Sequence, residues 1–147
     1  MVEFALILPL LVLLLVGVFD VGRLVFAYHT VNNAAREGGR LAIVDQMTAD
    51  IQDRAAQRAV SLGIASGDVQ VDYRTVANPD TPGSCNAAIG TDAIYGCLAV
   101  VRVPYEYNAA TPIISNLIGT MTVIGEVRFP VEFNCVVPAK PQCPVGQ

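Results

Sequence analysis

The chain has 147 residues, 53% hydrophobic and 15% charged, which allows one modest domain plus an extra apolar segment. Its net charge of −4 lies wholly beyond residue 40: Arg23, Arg36 and Arg40 balance Glu3, Asp20 and Glu37, while residues 41–147 hold six basic and ten acidic groups. Such an acidic part lacks the basic surface that nucleic acid requires, and no nucleic-acid partner is expected.

The first stretch, Glu3 to Val44, reads as one long helix. Phe4 to Phe19 (FALILPLLVLLLVGVF) is sixteen residues without a charge, and LVFAY continues apolar beyond Asp20 and Arg23. That is long enough to anchor in a bilayer, with its charges near an interface. Asp20 and Arg23 are spaced i,i+3 and can pair. Pro9, Gly17 and Gly22 are weak points for a helix, tolerated in membranes and suited to a helix that yields on leaving one. A secretory signal fits poorly, because no basic segment precedes the run and no small-residue cleavage site interrupts it.

From Val21 a stripe recurs at steps of three and four: Val21, Leu24, Tyr28, Val31, Ala35, Gly38 and Ala42. Its later members are small, so another element can approach closely. Gly38-Gly39 in mid-helix costs roughly 1 kcal/mol per glycine relative to alanine, a cost best explained by close helix packing. Arg23, Asn33, Arg36, Glu37 and Arg40 take the opposite face. His29, the single histidine, reads as a surface or interface residue.

Beyond residue 46 the pattern changes. Residues 1–46 are expected to form the apolar helix, and 47–147 a disulfide-stapled α+β domain with a small antiparallel sheet. A second helix begins with Thr48 as its cap, carries Asp50 and Asp53 near its N-terminus, and stops at Gly63. Ile51, Ala55, Ala59 and Leu62 mark its buried face, and Asp50–Arg54 forms an exposed i,i+4 pair. A strand follows, with Val69, Val71 and Tyr73 facing inward and Gln70, Asp72 and Arg74 facing water. Asn78 to Gly96 is a loop. Residues 97–107 form a second strand, in which Ala99, Val101, Val103, Tyr105 and Tyr107 share a face, and Pro104 implies a bend or an edge. Thr111-Pro112 opens a short helix closed by Gly119, with Ile113, Ile114, Leu117 and Ile118 either covering the core or forming a partner-facing patch. Residues 120–133 form the clearest strand: Met121, Val123, Val127, Phe129, Val131 and Phe133 point to the core, with Pro130 near an edge. The tail from Asn134 reads as pinned rather than folded.

The cysteines at 85, 97, 135 and 143 form neither C-x-x-C nor a zinc-type spacing, so no metal site is expected. Their even number favours disulfides and an oxidising compartment. Three connectivities exist; Cys85–Cys97 with Cys135–Cys143 is the simplest, each closing one loop. No phosphate loop or catalytic triad can be assembled, and Asp80 and Asp92 lack calcium-loop spacing, so neither an enzyme nor a cofactor is expected.

The stretch VEFALILPLLVLLLVGVFDVGRLVFAYHTVNNAAREGGRLAIV resembles the TadE-like family of tight-adherence (Tad) pilins and pseudopilins, a branch of the type IV pilin-like proteins. The specific parts are the VEFAL-x-LP opening, the acid-x-x-Arg at Asp20–Arg23, and the N-A-A-R-E-G at Asn33–Gly38. The resemblance implies a pilin-like fold and a structural filament subunit, pilin or minor pseudopilin, used in surface adhesion. It implies an inner-membrane stage, cleavage of a basic leader by a prepilin peptidase, an inner-membrane assembly platform, and then an extracellular pilus built by self-association.

The family's key acid maps onto Glu3, here third rather than fifth in the chain. The expectation is that two mature residues and a leader lie upstream of Met1. A removed basic leader also reconciles the arginines after the apolar run, which alone would place the domain in the cytoplasm, with the cysteines, which place it outside. Glu3 is expected to pair with a neighbouring subunit's N-terminal amine, because an unpaired acid in hydrocarbon is costly. Phe4, Leu6, Leu10, Leu13 and Leu14 would form the shared filament core. Burying about five such side chains is worth on the order of 10 kcal/mol relative to water, and much less relative to lipid. The competing expectation is a single-span membrane protein displaying a small extracellular binding domain.

Overall fold

The computed structural model describes residues 2–85, 96–111, 115–116 and 119–132, without the side chains of Val2, Glu3 and Ala5. A 41-residue helix, α1 (Val2–Ala42), is followed by α2 (Thr48–Arg58) and two short 3-10 turns. Three strands complete the fold: β1 (Gln70–Thr75), β2 (Cys97–Tyr107) and β3 (Met121–Pro130). The strands form one antiparallel sheet in the order β1-β2-β3. The chain is therefore α+β, as expected.

α1 runs unbroken through Pro9, Gly17 and Gly22. At 1.5 Å per residue it is about 60 Å long. Only its second half packs on the domain. There the buried residues are Ala27, Val31, Ala34, Ala35, Gly38, Gly39 and Ala42. The predicted stripe therefore holds from Val31 onward, and before it only Leu24 packs, partly buried, against the core. Val21 and Tyr28 are exposed, and Asp20 and Ala27 take the inward positions. The physical reason is that the inner face is chosen by the sheet it meets, and small or hydrogen-bonded residues fit there better than a valine or tyrosine.

The close approach foreseen for Gly38-Gly39 is present. A Cβ on Gly38 would stand 3.0 Å from the Ala55 Cβ of α2; one on Gly39 would stand 2.6 Å from Val127 Cγ1 and 2.8 Å from Phe129 Cδ2 of β3. The tightest contact comes from the sheet side. Gly125, opposite Val103 in the β2–β3 register, lies against the α1 backbone, where a Cβ would overlap the Val31 carbonyl oxygen and come within 2.6 Å of its carbon. Glycine here lets a strand touch a helix main chain.

α2 departs from expectation at its start. Thr48 lies inside the helix and Met47 occupies the cap position without a side-chain cap; the Met47 N–H instead donates to Asp45 Oδ1 at 2.9 Å. The helix ends at Arg58, and Gly63 closes the following 3-10 turn at φ 72°. Arg54 pairs with Glu37 of α1 at 3.1 Å, and Arg58 approaches the same carboxylate at 3.4 Å. Its strong partner is thus another helix rather than Asp50.

β2 matches its predicted bounds. β1 pairs with it only as far as Gln70↔Arg102, so Pro104 falls where β2 has become an edge on that side. The outer face of the sheet is wet where it carries Gln70, Glu106, Thr122 and Ile124, all exposed, but covered where residues 76–85 fold across it, and Val100 there is fully buried. Arg74, expected in water, is 1% exposed. Its Nε donates to Asp72 Oδ2 at 2.8 Å and its Nη1 to the Pro79 carbonyl at 3.0 Å, while Asp72 Oδ1 accepts from the Gly83 N–H at 2.8 Å. Arg128 of β3 reaches Asp80 of this loop at 2.9 Å and Glu126 at 2.7 Å, and Glu126 also pairs across the ladder with Arg102 at 2.5 Å. A disulfide joins Cys85 to Cys97 and pins the loop to the first residue of β2. Cys135 and Cys143 lie outside the described residues, as do Phe133, Asp92, Ile113, Ile114, Leu117 and Ile118. Of the short helix, the Ser115 N–H to Thr111 carbonyl bond and the Gly119 N–H to Ser115 carbonyl bond are present, each at 2.9 Å. Met121, expected in the core, is exposed at the open end of β3.

Candidate functional site

The functional surface assembles along α1 and has two parts. The first is its bare apolar half. Phe4, Leu6, Leu10, Leu13 and Leu14 are all exposed, with Phe4 at 71% and Phe19 at 72%. So are Ile7, Leu8, Leu11, Val12, Leu15 and Val18. Exposed apolar residues surround the helix on every side, and nothing else among the described residues covers them. Contiguous apolar surface of this extent marks a lipid or protein contact. The segment Val2–Phe19 is roughly 27 Å long, close to the thickness of a bilayer's hydrocarbon core. α1 is long and apolar enough to cross a membrane.

Pro9, Gly17 and Gly22 all lie in this half or at its end. A Cβ on Gly17 or Gly22 would meet nothing within 4 Å. Packing inside the chain therefore does not require glycine at either position, in contrast to Gly38, Gly39 and Gly125. Glu3 falls within the helix, and its side chain is outside what is described.

The second part is the latch that joins the bare half to the domain. Asp20, the first charge after the apolar run, is 4% exposed. Its Oδ1 accepts from the Ala110 N–H at 3.0 Å; its Oδ2 accepts from the Thr111 N–H at 3.0 Å and from the Thr111 hydroxyl. The Tyr107 hydroxyl donates to the Asp20 main-chain carbonyl at 2.7 Å. Arg23 stands 4.0 Å from the carboxylate, as the i,i+3 spacing predicts, with its guanidinium 5.9 Å from the centre of the Tyr107 ring. The segment after β2 thus wraps the point where α1 leaves the domain. Sequence reasoning assigned Asp20 only its local partner. Its distant partners gave no sequence signal beyond the presence of an acid where a polar group must be buried or wetted.

His29 is exposed and packs edge-on against Tyr28, 5.8 Å between ring centres. On the flank of α1, Phe26, Arg36, Glu37, Arg40, Arg58 and Phe129 border an open groove.

Residues 1–40, which carry the bare half, Asp20 and Arg23 of the latch, and Arg36, match the family model for TadE-like proteins. The match ends two residues before α1 does and includes none of the sheet. No curated protein and no solved structure matches the chain.

Proposed function

We propose that this chain is a structural subunit of a Tad-type, type IV-like pilus, held in the inner membrane by the apolar half of α1 and then built into an extracellular filament through that same half. The observation carrying the reading is the exposed surface from Phe4 to Phe19 on a helix whose other half is locked into a domain. The match of residues 1–40 to TadE-like proteins supports it.

In this reading the subunit exchanges lipid for sister helices. Lipid tails are as apolar as leucine, so the exchange yields packing energy rather than hydrophobic burial, and extraction needs an assembly platform. Glu3 is the costly residue in hydrocarbon. Its pairing with the N-terminal amine of a neighbouring subunit removes that cost only in the assembled state, which gives assembly a preferred register. Pro9, Gly17 and Gly22 are where the helix yields: Pro9 is exposed, and a Cβ on either glycine would meet nothing among the described residues. A prepilin peptidase acts before assembly, and the domain lies outside the cytoplasm, where Cys85–Cys97 is stable. A domain of about a hundred residues is large for a short shaft pilin and favours a minor subunit.

Surface filaments sheared from cells test this directly. The chain is expected in the filament fraction by mass spectrometry, and Glu3→Gln is expected to deplete it there while leaving the membrane pool intact. A chain confined to the membrane, with none in filaments, would instead identify a single-span protein displaying a binding domain.

A further inference from the structure

The groove on the flank of α1 is the basic feature of an acidic molecule. Arg36 and Arg40 are exposed, and neither has an acidic partner among the described residues. Glu37 is the one acid on the groove wall, and it is already shared between Arg54 at 3.1 Å and Arg58 at 3.4 Å. Positive charge here therefore exceeds what the described residues neutralise. Asp50 and Asp53 are the counterpart. Both are exposed in the first turns of α2, and neither has a basic partner among the described residues. At 100° per residue Asp53 projects about 140° from Arg58 around α2, and Asp50 lies about 12 Å from it along the axis. One short helix thus separates an acidic patch from a basic groove.

Among the described residues the two patches make no ion pair with each other. They match between copies, head to tail. Such a heterologous contact leaves a free patch at each end and propagates into an open filament rather than closing into a dimer. We propose that the groove of Arg36, Arg40 and Arg58 receives Asp50 and Asp53 of a second copy of this chain. This contact deepens the filament reading: the apolar halves supply packing without direction, and the charged contact sets how neighbouring domains are placed. Phe26 and Phe129 also line the groove, so its walls are apolar as well as basic.

The test uses the full chain in neutral detergent micelles, which occupy the apolar half and leave the domains free to meet. Sedimentation at low salt is expected to show self-association that weakens as salt rises from 25 to 500 mM, as exposed charge pairs do. The double variant Arg36→Glu/Arg40→Glu and the double variant Asp50→Arg/Asp53→Arg are each expected to weaken association by about 10- to 100-fold. Mixed one to one, they are expected to associate again, because the acidic patch of the first meets the basic groove of the second. That rescue excludes misfolding as the cause of either loss. Wild-type chain that stays monomeric, variants that associate like wild type, or a mixture that stays apart would each overturn the proposal. So would binding of an acidic polysaccharide to the groove with no self-association. Failure of the filament reading is separate, and would show as sheared filaments that lack the chain.

Discussion

Asp20 and Thr111, 91 residues apart, are joined by two hydrogen bonds, from the Thr111 N–H and hydroxyl to one carboxylate oxygen. A single side chain at the end of the apolar run thereby ties the bare half of α1 to the far end of β2. Orientation of the domain relative to the exposed helix depends on this link. Asp20→Ala leaves the Ala110 and Thr111 N–H groups without their acceptor. Amide exchange at these two positions is expected to accelerate by on the order of tenfold, the equivalent of a lost hydrogen bond, while exchange in β1 is unchanged. Uniform acceleration through the sheet would show that Asp20 supports the whole fold instead.

Glycines along α1 and β3 divide into two groups by what surrounds them. Gly125 meets the α1 backbone, which cannot give way; Gly17 and Gly22 meet nothing. Gly125→Ala is expected to lower unfolding stability by about 1–3 kcal/mol or more, as overpacking does. Gly22→Ala is expected to leave the domain's denaturation midpoint unchanged and, on the proposed role in helix yielding, to reduce incorporation into filaments. Chemical denaturation of the full chain in detergent checks the first, and filament yield the second.

The Cys85–Cys97 bond closes a loop of sequence separation 12 and pins the end of the 76–85 segment to β2. Loop-closure entropy for such a length is about 3 kcal/mol. Cys85→Ser with Cys97→Ser is expected to lower stability by roughly 2–3 kcal/mol and to admit water to Val100, raising its amide exchange. A loss confined to the loop, with no shift of the global midpoint, would show that the ion pairs alone hold it.

Acid acts through Glu126. Partial burial opposes its charge, but hydrogen bonds from Arg128 and Arg102 outweigh burial and hold its carboxyl below the ordinary 4.5. A carboxyl depressed in the folded state stabilises above its unfolded value and loses that contribution as pH falls through the folded one. Stability is therefore expected to be flat above pH 5 and to decline below about 4.5. Arg128→Ala is expected to shift that decline to higher pH and to shrink it. A denaturation profile unaltered by Arg128→Ala would remove Glu126 from the account.

Much of this architecture was legible because it is local. The charge-free run from Phe4, the glycine pair at 38–39 and the alternation in β2 each express helix or strand periodicity, and each was placed correctly. What escaped was set by tertiary contact. Arg74 alternates with the inward residues and so reads as wet, yet the loop folded over it supplies the Pro79 carbonyl and the Asp72 carboxylate. Val21 and Tyr28 continue the spacing of the buried stripe, but there the helix turns Asp20, Leu24 and Ala27 toward the sheet instead. Gly125 did carry a signal: a lone glycine inside an alternating strand marks close backbone approach. The acidic latch had none, because its partners lie on the far side of the sheet sequence. The bare half of α1 was legible as apolar, but only the fold shows that nothing among the described residues covers it.

Near-atomic imaging of sheared filaments tests the central claim most directly. The account predicts this chain within them, with Phe4 to Phe19 of neighbouring copies packed together along the axis and the domains outside. Filaments whose core is built from another protein, with this chain left as a membrane-bound monomer, would contradict it.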